Sequence, residues 1–377
     1  MRVLLVANYV PDGQQSMQRY AVWLEQALSA RGYQVTVTRP TPYFSRLTSR
    51  PGFKKYLGYL DKFLIFPPRL RLLARQHDLV HILDHSNSIY LRAVRGMPNL
   101  ITCHDVLAIR CARGEFPQIA TGWTGRLLQR WILSGLRIAH SVACVSAKTA
   151  DDLRTLIGAG AHLRIIHNPP YWDYQPAAPL SPAAAARLGL QPGQPYLLHI
   201  AGNLWYKNRI GVLRIVARLA QWGDETKKPE LSSLRLVLAG HPITPEMRNI
   251  IHEEHIEDRV IEAVDPDNEL LQALYSNALA LLFPSLEEGF GLPIIEAQAC
   301  GCPVITSNRP PMTEVAGQAA IYIDPLDPAA AASAIAEGLK QREQLRQAGF
   351  RNLERFSRQV LADRYCTFYK AIVKGQP

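Results

Sequence analysis

The sequence of 377 residues contains no apolar run of the roughly 18 residues that a membrane-spanning helix requires. Its start, MRVLLVA, carries one arginine and an apolar stretch too short for the core of a secretory signal. We therefore expect a protein that stays in the cytoplasm. Hydrophobic residues make up 47% and charged residues 20% of the chain, a balance typical of folded proteins and not of disordered ones.

Cysteine is also scarce, with six residues in the whole chain, most of them in apolar surroundings such as SVACVSA. This usage indicates reduced core cysteines rather than the disulfide framework of a small secreted domain. Cys300 and Cys302 flank one glycine, and no histidine cluster accompanies them to complete a zinc site. The sequence therefore predicts no disulfide, no bound metal and no other cofactor.

Acidic residues are outnumbered, since 42 lysines and arginines stand against 32 aspartates and glutamates, for a formal net charge of +10. Such an excess favours an anionic partner: nucleic acid, a phosphorylated substrate or an acidic membrane surface. No recognition motif accompanies the basic residues, so we expect no nucleic acid. Residues 46–75 mix Lys and Arg with Phe, Tyr, Leu and Ile, which suits a membrane interface and equally a solvated basic face over a core helix.

The length of the chain exceeds one ordinary hydrophobic core and predicts two domains of roughly 150 to 200 residues each. In the first part, helical or loop segments alternate with the apolar runs RVLLVANYV, QVTVT, DLVHIL, NLITCHD and SVACVS. A second series contains the runs YLLHIAG, LRLVLAG, RVIEAV, LALLFPS, PVITSN and AIYID. Each series is typical of a parallel sheet covered by helices.

A proline-rich stretch separates the two series, and proline at this density interrupts both helices and sheets. We place the linker at residues 169–195, between an N-terminal domain at 1–168 and a C-terminal domain at 196–355. Residues 356–377 are expected to form a helix that returns to the N-terminal domain. The predicted fold class is α/β, with two doubly wound, Rossmann-like domains that face a central cleft, where such architectures bind ligands.

The stretch EEGFGLPIIEA, which begins at residue 287, frames a turn containing two glycines with Glu288 and Glu296. The glycines permit close approach of a ligand, and Pro293 suits the start of a helix. A turn leading into a helix offers free N–H groups and a positive dipole end to a phosphate. The two carboxylates can accept sugar hydroxyls, so the motif predicts a nucleotide-sugar site. The alternative is a solvated loop acid followed by the polar side of an amphipathic helix.

The longer stretch PSLEEGFGLPIIEAQACGCPVITSN resembles the donor-site signature of the retaining glycosyltransferases of family 4, which have the GT-B fold. VACVSAKTADDL, RIIHNP, HIAGNLWYKN and MTEVAGQAAIYIDPLDP resemble other parts of that family, so the resemblance extends over most of the chain. Residues 41–75 match weakest, as a variable acceptor region would. The resemblance implies transfer of a hexose from a UDP- or GDP-sugar to an acceptor hydroxyl, with retention of configuration and without a metal ion.

Carried over residue by residue, the resemblance implies roles for the motif residues. Glu296 would hold the ribose hydroxyls of the donor, Glu288 would contact the transferred sugar, and Lys207 would bind the diphosphate. Lys207 also has a physical reason, because negative charge builds on the diphosphate as the glycosidic bond breaks. The donor-binding turn would be completed by Gly289, Phe290, Gly291 and Leu292.

The chain departs from the family pattern at two loops. Gly202 is followed by Asn203, where many relatives carry an arginine as a second phosphate cation. Arg209 supplies that charge unless helix geometry directs it away, and both outcomes stay open. In the first domain, Gly13 is followed by Gln14 in place of a second glycine. This loop either approaches a ligand or is a plain strand-to-helix turn.

His104, in TCHDVL, lies at the end of a predicted strand, and by resemblance it approaches the transferred sugar. The neighbouring Asp105 either orients the imidazole or caps a helix.

Other functions remain open on the same architecture, because fold alone does not determine function. A sugar-nucleotide epimerase or hydrolase would convert the donor without an acceptor, and a non-catalytic subunit would only bind it. The predicted partners of a transferase are a nucleotide-sugar donor, a saccharide or lipid-linked acceptor, and an anionic membrane surface reached through residues 46–75. We expect a role in polysaccharide, cell-envelope or glycolipid synthesis, in the cytoplasm and at the periphery of its membrane.

Overall fold

The computed structural model describes residues 1–47, 50–191 and 193–376. Residues 48 and 49 of the basic stretch, residue 192 of the expected linker and the terminal residue 377 lie outside the described residues. The chain divides into two compact units. Unit 1 comprises Met1–Tyr171 together with the chain from Arg358 onward, and unit 2 comprises Trp172–Ser357. The chain therefore enters unit 2 near the start of the proline-rich stretch.

The sheet of unit 1 has six parallel strands in the order β2-β1-β3-β4-β5-β6. They are β1 Arg2–Val6, β2 Gln34–Thr38, β3 Leu79–Ile82, β4 Asn99–Cys103, β5 Ser141–Cys144 and β6 His162–Ile165. The first five lie within the predicted apolar runs. β6 was not predicted, because it is an edge strand whose residues are exposed or half-buried and therefore need no continuous apolar run.

Seven α-helices of the described chain belong to unit 1. They are α1 Gln15–Ser29, α2 Pro51–Leu60, α3 Phe66–Ala74, α4 Leu107–Ala112, α5 Trp123–Leu136, α6 Ala147–Ile157 and, from the chain end, α16 Arg358–Val373. A π-helical turn at Asp61–Ile65 joins α2 to α3. Short 3-10 turns occupy Val10–Asp12, Phe44–Leu47 and His85–Arg92.

Two apolar clusters cover the two faces of this sheet, because successive strand residues point to opposite sides. Leu4 and Val6 pack with α3 and α5, whereas Val3 and Leu5 pack with α1 and α16. α16 is tied to this core by polar bonds as well, since the hydroxyl groups of Tyr365 and Tyr20 lie 2.6 Å apart. The last helix of the chain is thus an integral layer of unit 1.

The sheet of unit 2 also has six parallel strands, in the order β12-β11-β10-β7-β8-β9. They are β7 Tyr196–Ala201, β8 Arg235–Gly240, β9 Val260–Val264, β10 Ala280–Phe283, β11 Val304–Ser307 and β12 Ile321–Ile323. All six coincide with the predicted runs. Two parallel sheets with flanking helices confirm the predicted α/β class.

The helices of unit 2 surround this sheet. They are α7 Pro182–Arg187, α8 Arg209–Glu225, α9 Pro229–Ser232, α10 Pro245–Glu253, α11 Asn268–Asn277, α12 Leu292–Ala299, α13 Met312–Ala316, α14 Pro328–Gly338 and α15 Arg342–Leu353. Further 3-10 turns occupy Trp205–Lys207, Leu339–Gln341 and Glu354–Phe356. α7 lies inside the stretch expected to be a linker, where its Ala185 is buried.

Two predictions from composition can be compared with the structure. All six cysteines are free, and five of them are buried. Within the described ranges, no helix is both long and apolar enough to cross a membrane.

Candidate active site

The donor motif lies at the carboxyl edge of the sheet of unit 2. Gly202 and Asn203 follow β7, His241 follows β8, and residues 284–288 follow β10. Because β10, β7 and β8 are neighbouring parallel strands, the loops that follow them meet at one edge. Ligands of doubly wound folds bind at this edge.

Lys207 and Glu288 form an ion pair, with 2.6 Å between Nζ and Oε1. Both side chains are shielded, and 17% of Lys207 and 9% of Glu288 remain exposed. The ammonium group also lies 5.2 Å from the ring centre of Phe283, the last residue of β10. The structure therefore brings together two of the predicted catalytic residues, which are 81 positions apart in the chain.

Backbone contacts hold the two loops of this pair together. Leu286 donates its N–H to the carbonyl of Tyr206 at 2.7 Å. Asn208 adopts a left-handed conformation, with φ of 55°, and donates its side-chain amide to the carbonyls of Pro284 and Pro325. Few residues other than glycine and asparagine tolerate this conformation. Asn208 thus turns the chain sharply after Lys207 and anchors it to the opposite loop.

The glycine turn leads directly into α12. Gly291 has φ of 107°, a conformation that L side chains rarely adopt. Phe290 is buried and packs edge-on against Phe356, so the group that it can offer a ligand is its backbone. Glu296 lies one turn inside α12 and accepts a hydrogen bond from the Tyr275 hydroxyl at 3.1 Å. The turn and the first residue of α12 therefore lie in the chain between Glu288 and Glu296.

Arg209 is the first residue of α8, and its guanidinium turns back toward the loop after β7. Nη1 donates to the side-chain oxygen of Asn203 and, at 2.9 Å, to the carbonyl of His241. Nε and Nη2 are buried and have no hydrogen-bond partner among the described residues. Burial lowers the pKa of Arg209 against an opposing effect of Glu262, but an arginine stays charged in a protein.

Buried donors without a partner are costly and are uncommon in folded proteins. Two donors of Arg209 are therefore open to a further hydrogen-bond partner, and the guanidinium is directed toward Asn203. Gly202 packs beside the His241 ring, where an added Cβ would be in ordinary contact at 3.5 Å.

His104 lies in unit 1, directly after β4, and is 7% exposed. Its Nε2 bonds to the carbonyl of Leu83 at 2.9 Å, so Nε2 carries the hydrogen. Burial lowers the pKa of His104, and the opposing charge of Asp84 does not overcome this effect, so the imidazole is neutral near pH 7. Nδ1 is then an acceptor that has no partner in the described parts of the chain, and it can accept a hydroxyl hydrogen.

A polar cluster beside His104 was not predicted from the sequence. Asn8, directly after β1, donates its amide to Asp84 and to Gln14, and it accepts a bond from Asn87 at 3.2 Å. His85 Nδ1 lies 3.1 Å from Asp84 Oδ1. One feature of the sequence could have identified these residues, namely their position after the ends of the strands β1 and β3, which are neighbours in the sheet.

The Asp84–His85 pair is buried, and its electrostatics favour the charged form of both partners. Burial raises the pKa of Asp84, but the charge and hydrogen bond of His85 outweigh it and hold the pKa well below its usual range. Burial lowers the pKa of His85, but Asp84 outweighs this effect and raises it. Each group therefore favours the charged form of the other at the edge of the sheet of unit 1.

The remaining residues singled out in unit 1 have simpler surroundings. Gly13 has φ of 69° after the turn Val10–Asp12, with open space around it. The carboxylate of Asp105 accepts the N–H of Leu107 at 2.9 Å, so it caps the start of α4. No group of three or more His, Cys, Asp or Glu side chains in the described parts of the chain is placed to hold a metal ion.

Two family models match the chain, one on each side of the passage between the units. The model described as Glycosyl transferases group 1 matches residues 182–353, and the model described as Glycosyltransferase Family 4 matches residues 17–169. The class of protein that the fold and these matches define is a glycosyltransferase. Because the two models together match most of the chain, the protein belongs to glycosyltransferase family 4. The resemblance to that family is confirmed.

The chain is also similar to curated glycosyltransferases. The chain is 37% identical over 140 residues to the O-antigen chain mannosyltransferase RfbU of Salmonella typhimurium, a match that covers 37% of each chain. It is 25% identical over 256 residues to a GDP-mannose:cellobiosyl-diphosphopolyprenol alpha-mannosyltransferase of Xanthomonas oryzae, covering 65% of this chain and 59% of the relative. The chain thus spans less than two thirds of the length of these relatives.

A solved structure shows the same fold. Sucrose-phosphate synthase from Thermosynechococcus elongatus superposes with a TM-score of 0.75 at 21% identity, over 100% of both chains. The likeness confirms the GT-B architecture.

Proposed function

We propose that the protein is a retaining glycosyltransferase that moves a hexose from a nucleotide diphosphate sugar to an acceptor hydroxyl. The observation that carries this proposal is the Lys207–Glu288 ion pair beside the start of α12, at the edge of the sheet where doubly wound folds bind ligands. A cation, the positive end of a helix and two carboxylates are the groups that a diphosphate joined to two sugars requires.

The diphosphate would be bound by positive groups of three kinds. The backbone N–H of Leu292 and the positive dipole end of α12 attract the phosphate oxygens. Lys207 adds a full charge, and the free Nε and Nη2 donors of Arg209 supply the second cation that Asn203 does not provide. Glu296, already oriented by Tyr275, would accept the ribose hydroxyls. This set binds the donor without a metal ion.

Catalysis would follow from charge stabilisation at the leaving group. As the glycosidic bond breaks, negative charge grows on the diphosphate, where Lys207 and the helix start stabilise it more strongly than in the ground state. The leaving phosphate oxygen takes the proton of the acceptor hydroxyl on the same face of the sugar, so configuration is retained and no protein base is required. Glu288 would contact the transferred sugar, and His104 would offer Nδ1 to one of its hydroxyls.

Mannose from GDP-mannose is the first donor to test. The two curated relatives described above are named as mannosyltransferases, and one name specifies GDP-mannose and a diphosphopolyprenol-linked acceptor. A saccharide or lipid-linked acceptor in O-antigen or glycolipid synthesis is consistent with these names. The membrane surface expected at residues 46–75 belongs to the same proposal.

The test begins with thermal-shift measurements of GDP, UDP and ADP, with and without magnesium, on the wild type, Lys207→Ala and Glu296→Ala. A ligand at a hundred times its dissociation constant adds about 2.7 kcal/mol of stability. We expect one diphosphate to stabilise the wild type without magnesium and both variants to lose most of that shift. Transfer from the matching nucleotide sugar is then followed by NMR, which reports the anomeric configuration of the product.

Three results would count against the proposal. Inversion of the anomeric centre would refute retention. Conversion of the donor without any acceptor would favour an epimerase or hydrolase. Binding of nucleotide with no conversion of any donor, in the presence of a range of saccharide and lipid-linked acceptors, would favour a non-catalytic binding subunit.

A further inference from the structure

Helix α5 carries an exposed apolar stripe on unit 1. Trp123, Leu127 and Trp131 recur at every fourth residue, so they lie along one side of the helix. Their exposed fractions are 77%, 60% and 40%. The opposite side is buried through Ile132 and Leu136. Contiguous exposed apolar groups on a folded protein mark interaction surfaces, whereas isolated ones do not.

An aromatic series connects this stripe to α2. The Trp131 ring packs edge-on against Phe63 at 4.8 Å between ring centres, and Phe63 stacks on Tyr59 at 5.5 Å. Tyr59 in turn contacts Tyr56, which is 61% exposed. We call the surface formed by the α5 stripe and by the exposed Phe53, Tyr56 and Leu64 the α5–α2 surface.

Three arginines line a cavity of about 500 Å³ next to the stripe: Arg113, Arg126 and Arg130. Arg113 has a partner, with its Nε 3.4 Å from a carboxylate oxygen of Glu115. Within the described part of the chain, no carboxylate lies within ion-pair distance of Arg126 or Arg130, and both are exposed. Guanidinium groups suit phosphate oxygens, which they can bind with two parallel hydrogen bonds.

Charge decides which partner this surface fits. A second copy of the chain would bring the same arginines, and the exposed Lys54 and Lys55 of α2, against one another. An anionic lipid layer offers the opposite charge, and tryptophan prefers the boundary between headgroups and acyl chains. Arginines beside a tryptophan stripe therefore complement lipid phosphates above an apolar layer.

We propose that the α5–α2 surface docks on anionic membrane lipids. Trp123, Leu127 and Trp131 enter the boundary of the acyl chains, and the cavity of Arg113, Arg126 and Arg130 holds lipid phosphate groups. The proposal extends the basic stretch at residues 46–75 to a helix that the sequence did not single out. It concerns a surface separate from the donor motif and does not depend on the transfer reaction.

The test is flotation of the full chain with vesicles of phosphatidylcholine, with and without phosphatidylglycerol. We expect the wild type to bind the anionic vesicles, with a blue shift of tryptophan emission. Arg126→Gln/Arg130→Gln removes two charges near the surface and should weaken that binding about thirty-fold. Trp123→Ser/Leu127→Ser should abolish it. The matched control, Val22→Ser/Val360→Ser, changes two exposed apolar residues on α1 and α16 and should bind as the wild type does.

Three results would overturn the proposal. Unchanged binding of Trp123→Ser/Leu127→Ser would remove the stripe from the interface, and full competition by inorganic phosphate would show that the cavity takes free phosphate instead. A wild type that ignores vesicles but forms a dimer, which the same variant converts to a monomer in light scattering, would show a protein interface. Circular dichroism and the nucleotide-induced thermal shift confirm that each variant is folded. If no nucleotide stabilises the wild type, that result would count against the proposed function and not against the membrane surface.

Discussion

Removing Lys207 leaves Glu288 buried beside the helix start without its partner charge. At 2.6 Å, and with an effective dielectric constant near 20, the attraction between the two charges is about 6 kcal/mol. Part of this is offset by the desolvation of both groups, so we expect a coupling energy of about 2 to 3 kcal/mol. Lys207→Ala by itself should cost about 3 kcal/mol, because breaking a buried pair strands a charge.

A double-mutant cycle measures this coupling. For a unit of this size, about 3 kcal/mol corresponds to a fall of roughly 6 to 12 °C in the midpoint of thermal unfolding. Lys207→Ala and Glu288→Ala should each show such a fall in calorimetry, and the double variant should cost little more than one of them. If the two single effects add to within about 0.5 kcal/mol, the pair has no coupling and our reading of it is wrong.

The same pair should behave differently in ligand binding and in catalysis. Glu288→Gln keeps the shape of the side chain but releases Lys207, so the diphosphate should bind at least as tightly as to the wild type. The turnover number should nevertheless fall, since the carboxylate no longer contacts the sugar. Lys207→Ala should lower it by about a hundredfold or more, and the double variant should not recover. Weaker diphosphate binding by Glu288→Gln would contradict the expectation that Lys207, once released from Glu288, binds the diphosphate.

Four other predictions follow from single contacts. Arg209→Gln should weaken diphosphate binding by about tenfold in calorimetric titration, because one charged hydrogen bond is lost, while the stability of the free protein stays equal or rises. The pKa of His104 is lowered, so its acceptor nitrogen carries no hydrogen at neutral pH. The transfer rate should therefore be flat from pH 7 to 8 and should fall only in acid. His104→Ala should lower turnover and leave nucleotide binding unchanged. Burial lowers the pKa of His199 to about 3, so this neutral histidine gives stability that is complete above pH 6.5 and lost at up to about 1.4 kcal/mol per pH unit below it. In His199→Asn the urea midpoint should therefore depend less on pH than in the wild type. Gly291→Ala should cost about 1 to 3 kcal/mol in urea unfolding and abolish the diphosphate-induced thermal shift, because φ of 107° is strained for alanine.

Much of the fold was readable in the sequence because buried parallel strands need continuous apolar residues. Eleven of the twelve strands carry such a run, and β6 lacks one because it lies at an exposed edge. The start of α12 was likewise readable, since glycine is favoured in tight turns and proline in the first turn of a helix, so that their order predicts a turn into a helix. Local chemistry therefore determined the elements, the alternation of both sheets and the donor motif.

Only the tertiary structure decided which of these residues meet. Lys207 and Glu288 come together because β7 and β10 are neighbours, and the order of strands in a sheet is not encoded in the periodicity of any one segment. The direction of Arg209 and the polar cluster of Asp84 depend in the same way on loops brought to one edge by other strands.

The exposed stripe of α5 has the same origin. Tryptophan and leucine at every fourth residue normally predict a buried helix face. Burial of the opposite side, through Ile132 and Leu136, leaves Trp123, Leu127 and Trp131 at the surface. The sequence by itself determined most of the strands and the donor motif, and the tertiary structure decided which side chains meet and which face outward, because both depend on neighbours far away in the chain.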